Sequence, residues 1–293
     1  MSSVLITGCS SGIGLATALT LTRAGHSVYA TMRQPDRAPT LRDTIDKEKL
    51  PMSILALDVD SDASVADAVS AIRARGPIDV LVNNAGIERV GSIEELPFEA
   101  FRAVMETNYF GCLRCIRACL PEMRRRRSGC IINMASVAGR IAPSPFAPYT
   151  ASKFALEALS EVLAQEVKAF NIRVAIVEPG IIDTPMARRI EAPAESSYPQ
   201  TRRNGGMFAA ALANPASPAV VADKIREIIE SGTWQLRHPA GPDAEAFLSW
   251  RASMTDEEWA NWGALEDDAW YERVQTDFGL DARPKGASRA ASA

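Results

Sequence analysis

The sequence has few of the features that mark a metal site, a membrane protein or an exported protein. It contains two histidines, His26 and His238, and neither lies near the cysteines at 112–119, so we expect no metal ion. No apolar run reaches the roughly 20 residues that a membrane-spanning helix needs. The first residues lack a basic stretch ahead of their short apolar run, which does not fit a signal peptide and favours a cytoplasmic protein.

The cysteines do not suggest a disulfide framework. Their number is five, and an odd number argues against a complete set of internal pairs. Cys112, Cys115 and Cys119 recur at helical spacing within an apolar stretch. This pattern favours small core side chains over a metal or redox site.

Charge and composition narrow the class of protein further. The formal net charge is −4, so the chain has no overall basic surface and nucleic acid is not an expected partner. Apolar residues make up 47% and charged residues 23% of the 293 residues, a balance typical of a soluble globular enzyme.

Short β-branched runs alternate with amphipathic helical stretches along most of the chain. The pattern predicts strands at residues 4–7, 27–32, 53–57, 79–82, 130–134, 173–177 and 234–237. It predicts helices at 13–24, 63–74, 98–127, 151–169 and 218–230. Strands that alternate with helices in this way predict a doubly wound parallel sheet of the Rossmann type, an α/β fold with helices on both faces.

Two segments depart from this alternation. Residues 185–215 carry no strand signal and follow a strand end directly, so we predict a mobile lid. Residues 240–281 are polar, yet they hold four of the five tryptophans. Those tryptophans either pack the segment onto the main domain or contact a ligand directly.

Local signals in the second segment indicate helices. Thr255 with Glu258 three residues later is typical of a capping box, and Gly279 after Phe278 is typical of a helix end. We therefore predict a cofactor-binding and catalytic domain at 1–239 and a helical extension at 240–293. The last nine residues are rich in alanine and serine and are expected to be disordered.

A glycine-rich turn follows the first predicted strand and opens the first predicted helix. Such a turn lets backbone N–H groups approach a pyrophosphate at the positive end of the helix. Glycine is needed there because a Cβ atom would block the approach. This context favours a nucleotide site over a plain structural turn, and the candidate contacts are Gly8, Ser10, Ser11, Gly12, Ile13 and Gly14.

A tyrosine and a lysine lie four residues apart near the start of a predicted helix. Tyr149 and Lys153 therefore share one helix face. A phenol has a pKa near 10, and a neighbouring ammonium group lowers that value. The pair suits acid–base catalysis, although on its own it also fits two ordinary surface residues.

The order of these motifs along the chain resembles that of the short-chain dehydrogenase/reductase family. The matching features cover residues 2–238. In order along the chain they are Thr-Gly-x-x-x-Gly-Ile-Gly, Asn-Asn-Ala-Gly, Asn108, Ser136, Tyr-Thr-Ala-Ser-Lys and Pro179-Gly180. Residues 28–33 are most similar to the branch of 17β-hydroxysteroid and retinol dehydrogenases. The resemblance implies a hydride-transferring enzyme with a nicotinamide cofactor.

The resemblance also implies a role for each matching residue. Tyr149 would exchange a proton with the substrate oxygen, while Lys153 would lower the tyrosine pKa and hold the nicotinamide ribose. Ser136 would orient the substrate oxygen, and Asn108 would hold a water that links Lys153 to solvent. Cofactor contacts are implied for Asp58, Val59, Asn84, Ala85, Gly86, Tyr149, Lys153, Pro179, Gly180, Ile182 and Thr184.

The end of the second predicted strand indicates which cofactor is used. It approaches the adenosine ribose in this fold, and Met32 stands where NAD-preferring relatives carry aspartate. Arg33 follows and can bind a 2′-phosphate through charged hydrogen bonds, with Arg37 as a second contact. We therefore expect NADP(H), although Asp36 offers an alternative acceptor for the ribose hydroxyls.

These features predict an oxidoreductase that moves a hydride between NADP(H) and a hydrophobic ketone, aldehyde or secondary alcohol. The expected pocket is mostly apolar, with Val137, Ile141, Phe146, Ile181 and Met186 in its wall. The alternative is a nucleotide-binding regulator without catalysis, which would be free to lose any catalytic residue. Among enzymes, the alternative that the resemblance leaves is an epimerase or dehydratase of the extended branch of the family, which usually carries a larger C-terminal substrate domain than residues 240–293 provide. The long helices predicted at 98–127 and 151–169 resemble those that pair subunits in the family, so we expect a homodimer.

Overall fold

The computed structural model describes residues 1–190 and 195–284. Within these ranges seven parallel strands form one sheet, and in chain order β1–β7 they are Ser3–Ile6, Ser27–Met32, Met52–Ala56, Val80–Asn83, Gly129–Met134, Ile172–Pro179 and Arg237–Ala240. Their spatial order is β3-β2-β1-β4-β5-β6-β7. The order reverses direction after β1, which confirms the predicted doubly wound α/β fold.

Eleven α-helices are present in the described part of the chain. In chain order α1–α11 they are Gly12–Arg23, Pro39–Glu48, Asp62–Arg73, Phe98–Met105, Gly111–Arg126, Ala147–Lys168, Gln200–Ala211, Pro218–Ser231, Ala244–Ala252, Asp256–Gly263 and Asp267–Phe278. Side chains alternate across each strand, so the sheet supplies two separate cores. Val4 and Ile6 of β1 pack in the core that includes α1 and α8, whereas Leu5 packs in the core that includes α3, α5 and α6.

Several helix and strand boundaries differ from the sequence-based prediction, and three of the differences are large or affect the site. The last strand lies at Arg237–Ala240 rather than at 234–237. Trp234 lies outside it as an exposed side chain, and the Lys168 ammonium is 3.8 Å from the centre of the Trp234 ring. The helix predicted at 98–127 is interrupted by a π-helical segment at Glu106–Phe110. Helix α6 begins at Ala147, earlier than predicted, so Tyr149 lies in its first turn.

The predicted lid contains regular structure that the sequence did not indicate. A 3₁₀ turn at Ala187–Arg189 is followed by α7. Residues 191–194 lie outside the described residues. Beyond them the segment is tied to a neighbouring loop, since Glu95 accepts hydrogen bonds from the Ser196 hydroxyl at 2.7 Å and the Ser197 N–H at 2.8 Å.

The C-terminal extension is helical, as predicted. Thr255 and Glu258 form a reciprocal capping box at the start of α10, with N···O distances of 2.8 and 3.2 Å. Gly279 ends α11 in a left-handed conformation, φ 70°. The predicted domain boundary after residue 239 falls one residue before the end of β7. Residues 285–293, for which we predict disorder, lie outside the described residues.

All five cysteines lie in the described ranges, and each is a buried free thiol. Burial raises the pKa of Cys9 and Cys119 to about 12 and that of Cys112 and Cys130 to about 11, and it raises that of Cys115 well above its usual value. The helical trio belongs to the hydrophobic interior, as the sequence favoured.

Among residues 1–190 and 195–284, no helix is both long enough and apolar enough to cross a membrane.

Candidate active site

The glycine turn at the carboxyl end of β1 is shaped to receive an anion. Gly8 and Gly12 adopt left-handed conformations, with φ of 74° and 57°. Ser11 precedes α1, but within the described chain its side chain makes no capping hydrogen bond, so the N–H groups of the first helical turn remain available. A Cβ atom at Gly14 would collide with the Gly8 carbonyl oxygen. Helix α1 therefore packs directly against the turn.

Asn84 ties the end of β4 to this turn. Its side-chain N–H₂ group donates to the carbonyl oxygens of Thr7 at 2.9 Å and Gly8 at 3.1 Å. The Thr7 hydroxyl in return accepts the backbone N–H groups of Asn84 and Ala85, both at 3.0 Å. Two adjacent strand ends are thus fixed relative to each other, which holds the turn in place.

A cavity of about 740 Å³ runs along this edge of the sheet. The residues that the sequence analysis assigned to the cofactor line it, from Gly8 to Thr184, except for the second phosphate contact Arg37 and the alternative ribose acceptor Asp36. The glycine cradle and the uncapped helix N-terminus at its floor fit the pyrophosphate of a dinucleotide. Val137, Ile141, Phe146, Ile181 and Met186, the predicted pocket residues, line it as well.

Arg33 lies at the adenosine end of the cavity. Its side chain is exposed and lines the cavity next to Met32 and Asp58. Asp36, the alternative ribose acceptor, is instead paired with Arg42 at 3.0 Å, and neither Asp36 nor Arg37 is among the described residues that line the cavity. Of the three residues that the sequence analysis weighed for the ribose and its phosphate, only Arg33 lines the described cavity wall.

Asn108 lies in the π-helical segment between α4 and α5. Its carbonyl oxygen accepts the Ile87 N–H at 2.8 Å, and its amide donates to the Ile87 carbonyl and the Ser152 hydroxyl, both at 2.9 Å. The Ser152 hydroxyl donates in turn to the Tyr149 carbonyl at 2.6 Å. Asn108 thereby connects the loop after β4 to the helix that carries Tyr149, although it does not itself line the described cavity wall.

Ser136, Tyr149 and Lys153 converge on the middle of the cavity. Ser136 follows β5, accepts the Ala138 N–H at 3.1 Å and donates to the Pro179 carbonyl at 3.4 Å. It also lies close enough to the Tyr149 phenol to act on the pKa of that group. The Lys153 ammonium donates to the Met134 carbonyl at 2.7 Å and lies 5.4 Å from the centre of the Tyr149 ring. The carboxyl end of β5 and the first turns of α6 thus bring the predicted catalytic groups together.

The electrostatics of this pair differ from the prediction. Burial raises the pKa of Tyr149 to about 12, although the Ser136 hydrogen bond acts in the opposite direction. Burial also lowers the pKa of Lys153 to about 8. The pKa of Tyr149 is thus raised where the sequence analysis expected it to be lowered, because loss of hydration is its largest cause. The role of Lys153 in lowering this pKa stays a prediction. At neutral pH the phenol is protonated and can donate.

Comparisons with known proteins agree with this arrangement. A family model described as short chain dehydrogenase matches residues 2–195. The chain belongs to the short-chain dehydrogenase family. Retinol dehydrogenase 8 of Bos taurus is 39% identical over 251 residues, which cover 80% of this chain and 80% of that protein.

Solved structures of short-chain dehydrogenases share the fold. One from Streptomyces avermitilis superposes with a TM-score of 0.76 at 34% identity and covers 90% of this chain and 96% of that one. A variant of actinorhodin polyketide ketoreductase with NADPH has a TM-score of 0.72 at 29% identity, covering 81% and 95%. As a member of this family, the chain is an oxidoreductase that acts on CH–OH or C=O groups with a nicotinamide cofactor.

The far end of the cavity in this short-chain dehydrogenase is aromatic. We call this end the roof; it is formed by Phe208 of α7 and by the extension residues Phe247, Trp250, Trp259, Trp262, Trp270 and Phe278. The rings of Trp259 and Trp262 stack with centres 5.3 Å apart, and Trp250 meets both edge-on. These residues therefore pack against one another and also line the cavity. Direct contact between the tryptophans and a ligand stays a prediction.

An ion pair between a buried arginine and a partly exposed aspartate joins α7 to the helical extension. Arg203 of α7 is 2% exposed, and its Nε donates to Asp267 of α11 at 2.6 Å. Its guanidinium lies 5.9 Å from the centre of the Trp270 ring. The sequence analysis missed Arg203, because an arginine within a segment predicted to be a lid gives no signal of burial.

Proposed function

We propose that the chain is an NADP(H)-dependent oxidoreductase that exchanges a hydride with a hydrophobic ketone, aldehyde or secondary alcohol, with Tyr149 as the general acid and base. The observation that carries this proposal is the continuity of the cavity. One space connects the glycine turn and Arg33 with the Ser136–Tyr149 pair and then with the aromatic roof.

The residues along the floor of the cavity fit NADP(H). The glycine turn and the first turn of α1 would hold the pyrophosphate, and Arg33 would hold the 2′-phosphate. Residues from Pro179 to Thr184 would frame the nicotinamide, and Lys153 would hold its ribose. The bound nicotinamide supplies or accepts the hydride. The NADPH in the ketoreductase structure supports the choice of this cofactor.

The proton in this reaction is handled by the chain itself. In reduction, the substrate carbon gains the hydride and the substrate oxygen gains the Tyr149 proton, which leaves a phenolate. Ser136 orients the substrate oxygen through its hydroxyl. Lys153, with a pKa of about 8, can exchange protons near neutral pH and stabilise the phenolate. Asn108 would hold a water that connects Lys153 to solvent.

The walls around the reacting atoms support an apolar substrate. Ile141, Phe146 and Met186 lie near the catalytic end, and the aromatic roof follows. Apolar and aromatic walls do not favour a sugar or another polyol, since its hydroxyl groups would lose hydration against them. Relatives named as retinol dehydrogenase agree with a hydrophobic alcohol.

We also propose that the protein is a cytoplasmic homodimer. The five free thiols are compatible with a reducing compartment. Exposed apolar side chains occur around α5 and α6, where Phe110, Phe154 and Val162 are 43%, 41% and 52% exposed. Light scattering at micromolar concentration should give twice the mass of one chain, and a monomer would contradict the dimer.

A panel of apolar ketones, aldehydes and secondary alcohols tests the function. Each would be assayed with NADP(H) and NAD(H), in both directions, by nicotinamide absorbance. We expect turnover of bulky apolar carbonyl compounds with NADPH. Binding of NADPH without turnover of any of them would instead support the nucleotide-binding regulator, which the family membership does not favour.

A further inference from the structure

An aspartate of the C-terminal extension reaches the loop that would frame the nicotinamide. Asp243 immediately precedes α9, the position where an aspartate normally accepts a hydrogen bond from its own helix. In the described part of the chain its carboxylate makes no such bond. Its Oδ2 instead accepts the backbone N–H of Ile181 at 2.9 Å, a contact across 62 residues of sequence.

The carboxylate is packed against the backbone of this loop. A Cβ atom at Gly180 would lie 2.6 Å from the Asp243 Cγ and closer still to its Oδ1. The Gly180 N–H donates to the Ala240 carbonyl at 3.0 Å. Residues 240 and 243 therefore hold two successive N–H groups, those of Gly180 and Ile181, just after β6.

Burying the Asp243 carboxylate against this turn costs free energy of hydration, and capping of α9 does not offset that cost. The Asp243 Oδ1 is buried and has no hydrogen-bond partner among residues 1–190 and 195–284. Burial raises the pKa of this carboxyl, while the Ile181 N–H acts in the opposite direction. The Asp243 carboxylate neither caps α9 nor keeps its full hydration, so its stabilising contact must be elsewhere. The atoms that it touches are those of the Gly180–Ile181 turn.

We propose that Asp243 is a positioning residue that fixes the Gly180–Ile181 turn for the nicotinamide end of the cofactor. The inference rests on the proposed NADP(H) function. Gly180 and Ile181 line the cavity on one side of this contact, and Phe247 and Trp250 of α9 line it on the other. The extension therefore contributes to cofactor affinity as well as to the roof.

Two ligands separate this role from a general structural one. NADPH carries the nicotinamide, whereas adenosine 2′,5′-bisphosphate occupies the adenosine end alone. Dissociation constants for both would be measured by calorimetry on wild type, Asp243→Ala and Asp243→Asn. The matched control is Asp256→Ala, an exposed carboxylate of the same extension.

We expect Asp243→Ala to weaken NADPH binding about tenfold, the loss of one hydrogen bond to a charged group, and to leave the bisphosphate unchanged. Asp243→Asn keeps an oxygen acceptor for Ile181 and should recover most of the affinity. Asp256→Ala should match wild type with both ligands. Equal losses for the two ligands, or no loss for NADPH, would overturn the inference. Wild type that binds neither ligand would overturn the proposed function as well.

A double-mutant cycle gives a readout that needs no ligand. Gly180→Ala places a methyl group against the Asp243 carboxylate, so it should lower the unfolding temperature. In the Asp243→Ala background those carboxylate atoms are gone, and the same change should cost much less. Additive losses in the double variant would contradict the close contact on which the inference stands.

Discussion

The floor and the roof of the cavity are built in different ways. The floor consists of strand ends, the glycine turn and the first turns of α6, and hydrogen bonds such as those of Asn84 to Thr7 and Gly8 hold it. The roof consists of helices outside the sheet, and ring packing such as that of Trp259 on Trp262 holds it. Reacting groups lie on the floor, where backbone geometry fixes their positions, while the roof offers shape and apolar surface.

This difference suggests a division of labour. Side chains whose positions are fixed by hydrogen bonds suit one reaction with one cofactor, and substitutions of such side chains are poorly tolerated. Packed aromatic rings accept changes of shape at moderate cost, so the roof is suited to selecting the substrate. Changes in the floor should therefore alter turnover or cofactor choice, whereas changes in the roof should alter which substrates bind.

The largest effect is expected for Tyr149→Phe on the floor. Loss of the phenolic hydroxyl removes the proton donor, so turnover should fall by about 10²–10⁴-fold while the NADPH dissociation constant stays near that of wild type. Steady-state kinetics and fluorescence titration measure the two quantities. Tyr198→Phe, which changes an exposed tyrosine at the cavity rim, serves as the control. Turnover above about a hundredth of wild type would exclude Tyr149 as the acid.

Arg33→Ala should have the next largest effect, and it should change only the relative affinity for the two cofactors. The proposed role of the guanidinium is to bind the 2′-phosphate, so binding of NADPH should weaken by roughly 1.5–3 kcal/mol while binding of NADH is unchanged. Arg37→Ala is the matched control, since Arg37 is near in sequence but lies outside the described cavity wall. If both cofactors lose affinity equally, Arg33 does not recognise the phosphate.

Trp259→Ala tests the roof and should have the smallest effect. Removing a ring that stacks on Trp262 enlarges the roof, so KM for a bulky apolar ketone should rise about tenfold, while that for a small aliphatic ketone stays unchanged. The NADPH dissociation constant should not move. Trp234→Ala, at the exposed tryptophan beside Lys168, is the control. A similar rise in KM for both ketones would assign Trp259 to packing alone.

Sequence reasoning identified residues that the structure brings together on the floor, because their signals are local. The glycine turn between a strand and a helix, and the spacing of Tyr149 and Lys153, follow from short-range chemistry. The same reasoning misplaced the last strand, since Arg237–Ala240 contains a histidine and a proline and lacks an apolar run. It also missed the π-helical segment that contains Asn108, because residues 106–110 include no glycine or proline that would indicate an irregular helix.

The roof could not be predicted in detail because it depends on long-range contacts. Four tryptophans between 250 and 270 indicated an aromatic cluster, but their access to the cavity depends on how α9–α11 pack beside α7. The burial of Arg203 depends on Asp267, a contact across 64 residues. The high pKa of Tyr149 likewise follows from surroundings that assemble only in the folded chain.

The buried thiols have a practical consequence for studying motion in this enzyme. A thiol with a pKa of 11 or higher is almost entirely protonated at neutral pH, and its burial also blocks access to reagents. A cysteine introduced at Asn261, an exposed position on α10, would then be the preferred site for a maleimide dye. A fluorophore placed there in the otherwise native chain would report whether α10 is displaced when a ligand enters the cavity.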